Sequence, residues 1–324
     1  MKVLVSGGAG YIGSHAVVQL LDQSYDVVVV DNLSKGFKSA IDHRAIFYEC
    51  DIRDKMVMDE VFKKEKIDVV MQFAADIVVA ESEKDPLKYY DNNVSGTISL
   101  LNVMIKNNVK KIIFSSTAAV YGNTEKIPVE ETDLLAPISP YGTSKAFVEK
   151  ILEDCRIAYG LNYCIFRYFN VSGAHELYPI GQNVKKNTAL IPIILEVAAG
   201  ERSFIEVYGN DYETIDGTGV RDFIHVVDLV DAHILGINQL NNNKSGIYNL
   251  GNGQGFSVNE MITAAQKVTR KPIPTKISMR RQGDIAISIA SSEKAKKELN
   301  WKPQYTSVET IIETSWKYKI KMSN

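Results

Sequence analysis

The chain of 324 residues is poor in the features that mark secreted, membrane or nucleic-acid-binding proteins. It has three cysteines, Cys50, Cys155 and Cys164, widely spaced, odd in number and without a CxxC pair. A disulfide framework and a cysteine-based metal or redox site are therefore not expected, and the thiols read as reduced core residues of a cytoplasmic protein. No metal is expected. No apolar run approaches the roughly 18 residues of a membrane span, and the first residues enter a strand without the pattern of a secretory leader. Neither a membrane partner nor a leader is expected. The net charge of −2 leaves no basic excess for nucleic acid. With 45% hydrophobic and 23% charged residues, this is an ordinary globular composition, long enough for one large domain or two intimate ones.

What the chain does have is concentrated at its start, MKVLVSGGAGYIGSHAVVQLLDQSYDVVVVDNLS. Lys2 to Ser6 is a short apolar run that ends in Gly7, Gly10 and Gly13. Apolar residues then recur at helical spacing through Ile12, Ala16, Val17, Leu20 and Leu21, and a second run, Val27 to Val30, stops at Asp31. Strand, glycine turn, helix, strand and acid form a dinucleotide-binding pattern. The glycines let the backbone approach a pyrophosphate whose charge sits against the helix N-terminus. Asp31, 18 residues after Gly13, is placed to accept from the adenosine ribose hydroxyls and would repel a 2′-phosphate, which favours NAD over NADP.

The alternation continues. Strands are expected over Ala45–Glu49, Asp68–Phe73, Lys111–Ser116 and Asn162–Arg167. Helices are expected over about Asp54–Lys64, from near Pro86 to Asn107, and from Ser139-Pro140 to about Tyr159, where Ser caps and Pro opens the first turn. This spacing predicts an α/β fold, a doubly wound parallel sheet covered on both faces, with ligands at the carboxyl ends of the strands. Beyond Asn170 the strands shorten and Gly, Asn, Asp and Pro become frequent, as in GQNVKKN and YGNDYETIDGTGVRD. That half reads as loops and small elements suited to holding a substrate. The basic run Lys294–Lys297 reads as a solvated helix face.

Tyr141 and Lys145 stand four apart at the start of a predicted helix and so project from one face. A lysine ammonium and a cationic nicotinamide beside the phenol would favour the phenolate and make a base for a substrate hydroxyl. Thr117, at the end of the fifth strand, is placed either to bridge substrate and phenol or simply to cap the next turn.

In GGAGYIG, DNLS, the Ser-Thr strand end, SPYGTSK and RYFN the chain resembles the extended short-chain dehydrogenases/reductases that act on nucleotide sugars. NDYETIDGTGVRDFIHVVDLVDAH, RRQGD and KAKKELNW narrow the likeness to members that invert C4 of a UDP-hexose, and it covers nearly the whole chain. The resemblance implies a Rossmann-type NAD domain over 1–170, joined again near 222–252, and a smaller, discontinuous α/β substrate-binding region over 171–221 and 253–324. It implies a tightly held NAD, used and restored in each turnover, and interconversion of UDP-glucose and UDP-galactose through a transient 4-keto sugar, with Tyr141 taking the O4 proton. Besides Gly7, Gly10 and Gly13, it assigns Tyr11, Ile12, Asp31, Asn32, Asp51, Ile52, Phe73, Ala74, Ala75, Asn92, Thr117, Tyr141, Lys145 and Phe169 to the cofactor. It assigns Asn170, Tyr208, Arg221, Arg281 and Asp284 to the UDP-sugar, the arginines because a planar fork suits diphosphate. A homodimer through the helices near Pro86–Asn107 and Tyr141–Tyr159 is also implied.

The chain departs from the family in five places. The loop after the fourth strand reads Ala75-Asp76-Ile77-Val78-Val79 where a lysine is usual. The fifth strand ends in Thr117 rather than Ser, Val171-Ser172-Gly173 replaces Pro-x-Gly, and Ala189 stands where a uridine-side Asn is expected. Ser288, four residues after Asp284, stands where a bulky Tyr faces the sugar 2-position, which leaves room for an N-acetyl group. A UDP-uronate epimerase or a UDP-glucuronate decarboxylase remains open. A 4,6-dehydratase would need acids where Ala118 and Ala119 stand. A non-catalytic NAD sensor would have no need of Thr117, Tyr141 and Lys145.

Overall fold

The computed structural model describes residues 1–124, 126–183, 187–281 and 284–323. Val184 to Lys186 of GQNVKKN and Gln282 and Gly283 of RRQGD lie outside the described residues.

The first half is a run of β–α units: β1 (Lys2–Ser6), α1 (Tyr11–Asp22), β2 (Asp26–Asp31), β3 (Ile46–Glu49), α2 (Lys55–Glu65) and β4 (Val69–Gln72). After it come α3 (Val79–Lys84), α4 (Pro86–Tyr89), α5 (Gly96–Lys106), β5 (Lys111–Thr117), α6 (Pro140–Tyr159) and β6 (Asn162–Tyr168). With β10 (Gly246–Leu250) the strands form one seven-stranded sheet in the order β10-β6-β5-β4-β1-β2-β3, every pairing parallel. The order in which strands are added reverses between β1 and β4, which opens a crevice at their carboxyl ends.

Alternate residues of these strands feed two cores. Val3, Val5, Val27 and Val29 pack with α1 and with Leu229, Ile237 and Leu240 on one face. Leu4, Val28, Val30 and Val70 pack with α2, α5 and α6 on the other. Each such side chain buried on a covered sheet contributes roughly 1.5–3 kcal/mol, and coverage of both faces explains why the strands read as near-continuous apolar runs.

One expected element differs. The helix foreseen from Pro86 to Asn107 begins earlier, at Val79, and is broken. Asp85 leaves helical geometry and caps Lys88 with its side chain, Pro86 restarts the helix, and Tyr90–Ser95 form a π-helical turn before α5. The π turn swings Asn92 and Asn93 toward the loop after β4, where both bond Asp76.

The remaining elements are β7 (Asn170–Ser172), α7 (Leu190–Ala198), β8 (Ile205–Tyr208), β9 (Val220–His225), α8 (Val226–Asn241), β11 (Gly255–Ser257), α9 (Val258–Thr269), β12 (Thr275–Ser278), β13 (Ile287–Ser288), α10 (Glu293–Leu299) and α11 (Val308–Ser323). Strand β9 pairs with β7, β11 and β13, and β8 pairs with β12. A third core of Ile194, Leu195, Val207, Phe223, Met261 and Ile311 joins α7, α9 and α11 beneath these strands. Helix α8 and the segment Ala295–Trp301 pack instead on the large sheet.

Candidate functional site

The glycine turn is as tight as its sequence implies. A Cβ on Gly13 would lie 2.1 Å from the Gly7 carbonyl oxygen, and one on Gly7, at φ +76°, would lie 2.6 Å from the Ala74 amide nitrogen. Gly10 is the N-cap of α1 and has no side chain to satisfy the first-turn N–H groups, which leaves that helix end open to an anion. Ala74 packs against Gly7, and Phe73 lies 5.1 Å from the His233 ring.

Asp31 ends β2 beside this turn. Its carboxylate accepts from the Ala9 amide at 3.0 Å and the Leu33 amide at 2.8 Å. Burial raises its pKa. A carboxylate has about four acceptor positions, so capacity for two ribose hydroxyls remains. Asn32 donates to Asp51 at 2.9 Å, and Arg53 holds the Asp51 carboxyl down to about 2. Ile52 is buried in the core, and Ile12 packs against the opposite one. The Tyr11 hydroxyl donates to the Gly173 carbonyl at 2.6 Å, so its side chain ties the turn to the β7 loop. Uncapped helix end, bare glycine turn and partly free acid fit a dinucleotide.

On the other side of the crevice α6 presents Tyr141, Lys145 and Glu149 at successive i, i+4 positions, all buried. Ser139 caps the helix through Gly142 at 3.1 Å. Ser144 donates to the Tyr141 carbonyl at 2.7 Å and accepts from Asn93 at 3.1 Å, and Asn93 holds both backbone groups of Asp76. The loop after β4 and the start of α6 are thus fixed to each other. Asn92 donates to the Asp76 carboxylate at 3.0 Å, and Ala75 is half-buried beside it. Tyr89 lies edge-on to Tyr141 with ring centroids 6.4 Å apart.

Burial dominates the electrostatics here. Burial pushes the Tyr141 phenol up to about 12, opposed only by the Thr117 hydroxyl. Burial lowers Lys145 to about 7, opposed by the Glu149 charge. Lys145 spends a hydrogen bond on the Ser115 carbonyl at 2.8 Å. Desolvation therefore outweighs the lysine, and the phenolate needs a further positive charge beside it. The Thr117 hydroxyl accepts from the Ala119 amide at 3.2 Å, as a cap of the next turn, and lies against the Tyr141 phenol. Phe169 is buried just beyond β6.

The residues assigned to a sugar nucleotide come from four segments. Asn170 donates to the Asp222 carbonyl at 3.0 Å. Arg221 donates to the carbonyls of Val220 at 2.9 Å and Ala286 at 3.3 Å, with no carboxylate within 4.0 Å among the described residues, and burial lowers its pKa. Arg281 is exposed, pairs with Asp284 at 2.9 Å and lies over the Tyr208 ring at 4.8 Å. The Tyr208 hydroxyl donates to Glu206 at 2.5 Å. Ser288 on β13 is in register with Arg221 on β9. Arg281 thus sits in a surface ion pair, whereas Arg221 has none among the described residues.

Sequence reasoning passed over Asp76, Asn93, Glu149, Arg167 and Asp222. Glu149 accepts from Ser116 and from Arg167 at 2.6 Å, both partners buried. Its position eight residues after Tyr141 was the available signal. Asp222 is fully buried, accepts from the amides of Asn252, Gly253 and Ala290 at 2.8, 3.0 and 3.1 Å, and is raised by burial to about 6.

Residues 3–251 match the model of the NAD dependent epimerase/dehydratase family. The chain is 52% identical over 319 residues to the UDP-glucose 4-epimerase of Lacticaseibacillus casei, covering 98% of this chain and 96% of the relative. A crystal structure of a UDP-glucose 4-epimerase superposes with a TM-score of 0.98 at 49% identity, covering 100% of this chain and 99% of that one. The Bifidobacterium longum UDP-glucose 4-epimerase, solved with NAD+ and UDP, gives a TM-score of 0.95 at 43% identity, covering 100% and 99%. The chain belongs to the NAD dependent epimerase/dehydratase family.

Proposed function

We propose that this family member is an isomerase that interconverts UDP-galactose and UDP-glucose by inverting C4 of the hexose, with NAD as its resident cofactor. One observation carries the reading: the Tyr141–Lys145 pair is buried on α6 across the crevice from an open glycine turn, in a chain similar over nearly its full length to UDP-glucose 4-epimerases. NAD, when bound, supplies a hydride acceptor and a positive charge beside the phenol. Tyr141 removes the proton from O4 in one direction and returns it in the other, and Thr117 holds that oxygen against the phenol. Lys145, fixed by the Ser115 carbonyl, orients the ribose side and adds positive charge. The open end of α1 and Asp31 hold the dinucleotide. Asn170, Tyr208, Arg221, Arg281 and Asp284 hold the UDP-sugar, with Arg221 on its diphosphate. A 4,6-dehydratase lacks support, because Ala118 and Ala119 form a short 3-10 turn with no acid.

The test is proton NMR of UDP-galactose with purified protein and no added cofactor. Conversion to an equilibrium mixture with UDP-glucose is expected, falling about 1,000-fold in Tyr141→Phe. No conversion with or without added NAD would overturn the reading and send the search to UDP-uronates.

A second substrate class follows from Ser288, whose small side chain lies in register with Arg221. UDP-GlcNAc and UDP-GalNAc are then turned over as well, and Ser288→Tyr lowers the ratio of acetylated to plain activity. An unchanged ratio contradicts it. We further assign the protein to the cytoplasm, where its three unpaired thiols remain reduced. We also assign a homodimer through α5 and α6, supported by exposed Ile98, Phe147 and Ile157 on these helices. Sedimentation of Phe147→Asp as a monomer would support that assembly, and a monomeric native protein would refute it.

A further inference from the structure

The loops after β2 and β4 flank the glycine turn from opposite sides, because β1 lies between those strands. Phe37 donates its amide to the Ala9 carbonyl at 3.1 Å, and the Phe73–Ala74 backbone lies directly on Gly7. Across this crease the Lys35 ammonium lies 3.7 Å from an Asp76 carboxylate oxygen and 3.9 Å from Glu81. The two ends differ in burial: the Asp76 side chain is 8% exposed and that of Lys35 is 61% exposed. Asp76 is immobilised by Asn92 and Asn93, whereas Lys35 reaches in from solvent. Ile77, next to the fixed acid, is 65% exposed and supplies no charge of its own.

We infer that Lys35 and Asp76 form a charged strap across the mouth of the dinucleotide crease, with Lys35 as the movable end that controls how long the cofactor is retained. A bound dinucleotide would lie beneath the strap, between the open end of α1 and the two loops. A cation held over that crease also favours the diphosphate, so closing the strap and holding the anion support each other. Lys88 is the internal control. It lies 3.9 Å from the same Asp76 oxygen but 2.7 Å from Glu81, and it sits on α4, on the Asp76 side of the crease. It spans nothing.

This inference rests on NAD being the resident cofactor. The experiment measures exchange of bound NAD for radiolabelled NAD in the purified enzyme and in Lys35→Met and Lys88→Met. Exchange about fivefold faster in Lys35→Met is expected, the upper range of a partly exposed ion pair, with Lys88→Met near the native rate. At about 1 M salt the native enzyme should approach the Lys35→Met rate, whose own salt dependence is weaker. Equal rates in the native and Lys35→Met proteins, or the same acceleration from Lys88→Met, would overturn the strap. A native protein that neither contains nor takes up NAD would instead overturn the cofactor reading beneath it.

Discussion

The two ligand regions are built in opposite ways. The dinucleotide side uses mostly backbone and short separations: Gly7, Gly13 and Asp31 sit on consecutive elements within one β–α–β unit. Its geometry is set by close contacts in which a single added carbon has no room. The residues proposed for the sugar are side chains spread over more than a hundred residues, from Asn170 through Tyr208, Arg221 and Arg281 to Asp284. There the buried Asp222 carboxylate ties β9 to the 252–253 loop and to Ala290, and strand pairing joins β8 to β12 and β9 to β13. A local backbone site tolerates little change in shape. An assembled side-chain site can lose one member and keep the rest.

The sharpest way to break this contrast is at the glycine turn. Gly13→Ala is expected to destabilise the protein by roughly 3 kcal/mol and to strip its NAD, because the new Cβ meets the Gly7 carbonyl. Denaturant midpoints and the NAD content of the purified protein check this, and a native-like variant retaining NAD would refute it. Arg221→Gln should leave NAD content unchanged and raise the KM for UDP-galactose about 30-fold, the loss of a charge-assisted contact. Loss of NAD in that variant would show that the two sides are not separable.

A smaller effect concerns three buried histidines on α1, β9 and α8. His15, His225 and His233 are fully buried and held neutral by desolvation, with pKa values lowered to about 3, 3 and 4. In the unfolded chain they protonate near pH ~6.5. Their contribution is therefore complete above that pH and is lost as pH falls toward the folded values. The loss is roughly 1 kcal/mol per histidine between pH ~8 and ~6. Asp222 and Asp231, raised to about 6, act in the opposite sense and offset part of it. Urea midpoints should fall on acidification, and a flat or rising profile would contradict this.

The same contrast explains what the sequence revealed. Strands β1 to β6 and helix α6 were legible because apolar runs, caps and glycine turns are local signals. The break at Asp85 and the π turn at Tyr90–Ser95 were not, and the bonds that hold the turn join Asn92 and Asn93 to Asp76 in the preceding loop. The burial of this pair was equally hidden: spacing places Lys145 on the same face as Tyr141, but only packing reveals that desolvation raises the phenol and lowers the ammonium in the protein alone. Beyond Asn170 the pairings β8 with β12 and β9 with β13 join segments about 70 residues apart, and no local pattern announces them.

The central claim is that one buried site removes hydrogen from C4 and returns it to the opposite face. Its most direct test is UDP-galactose deuterated at C4, converted by the purified enzyme in ordinary water and analysed by NMR. The expected result is UDP-glucose with the deuterium still on C4. Loss of the label to solvent would mean that C4 exchanges as a proton, and that Tyr141 and the dinucleotide site do not act as assigned here.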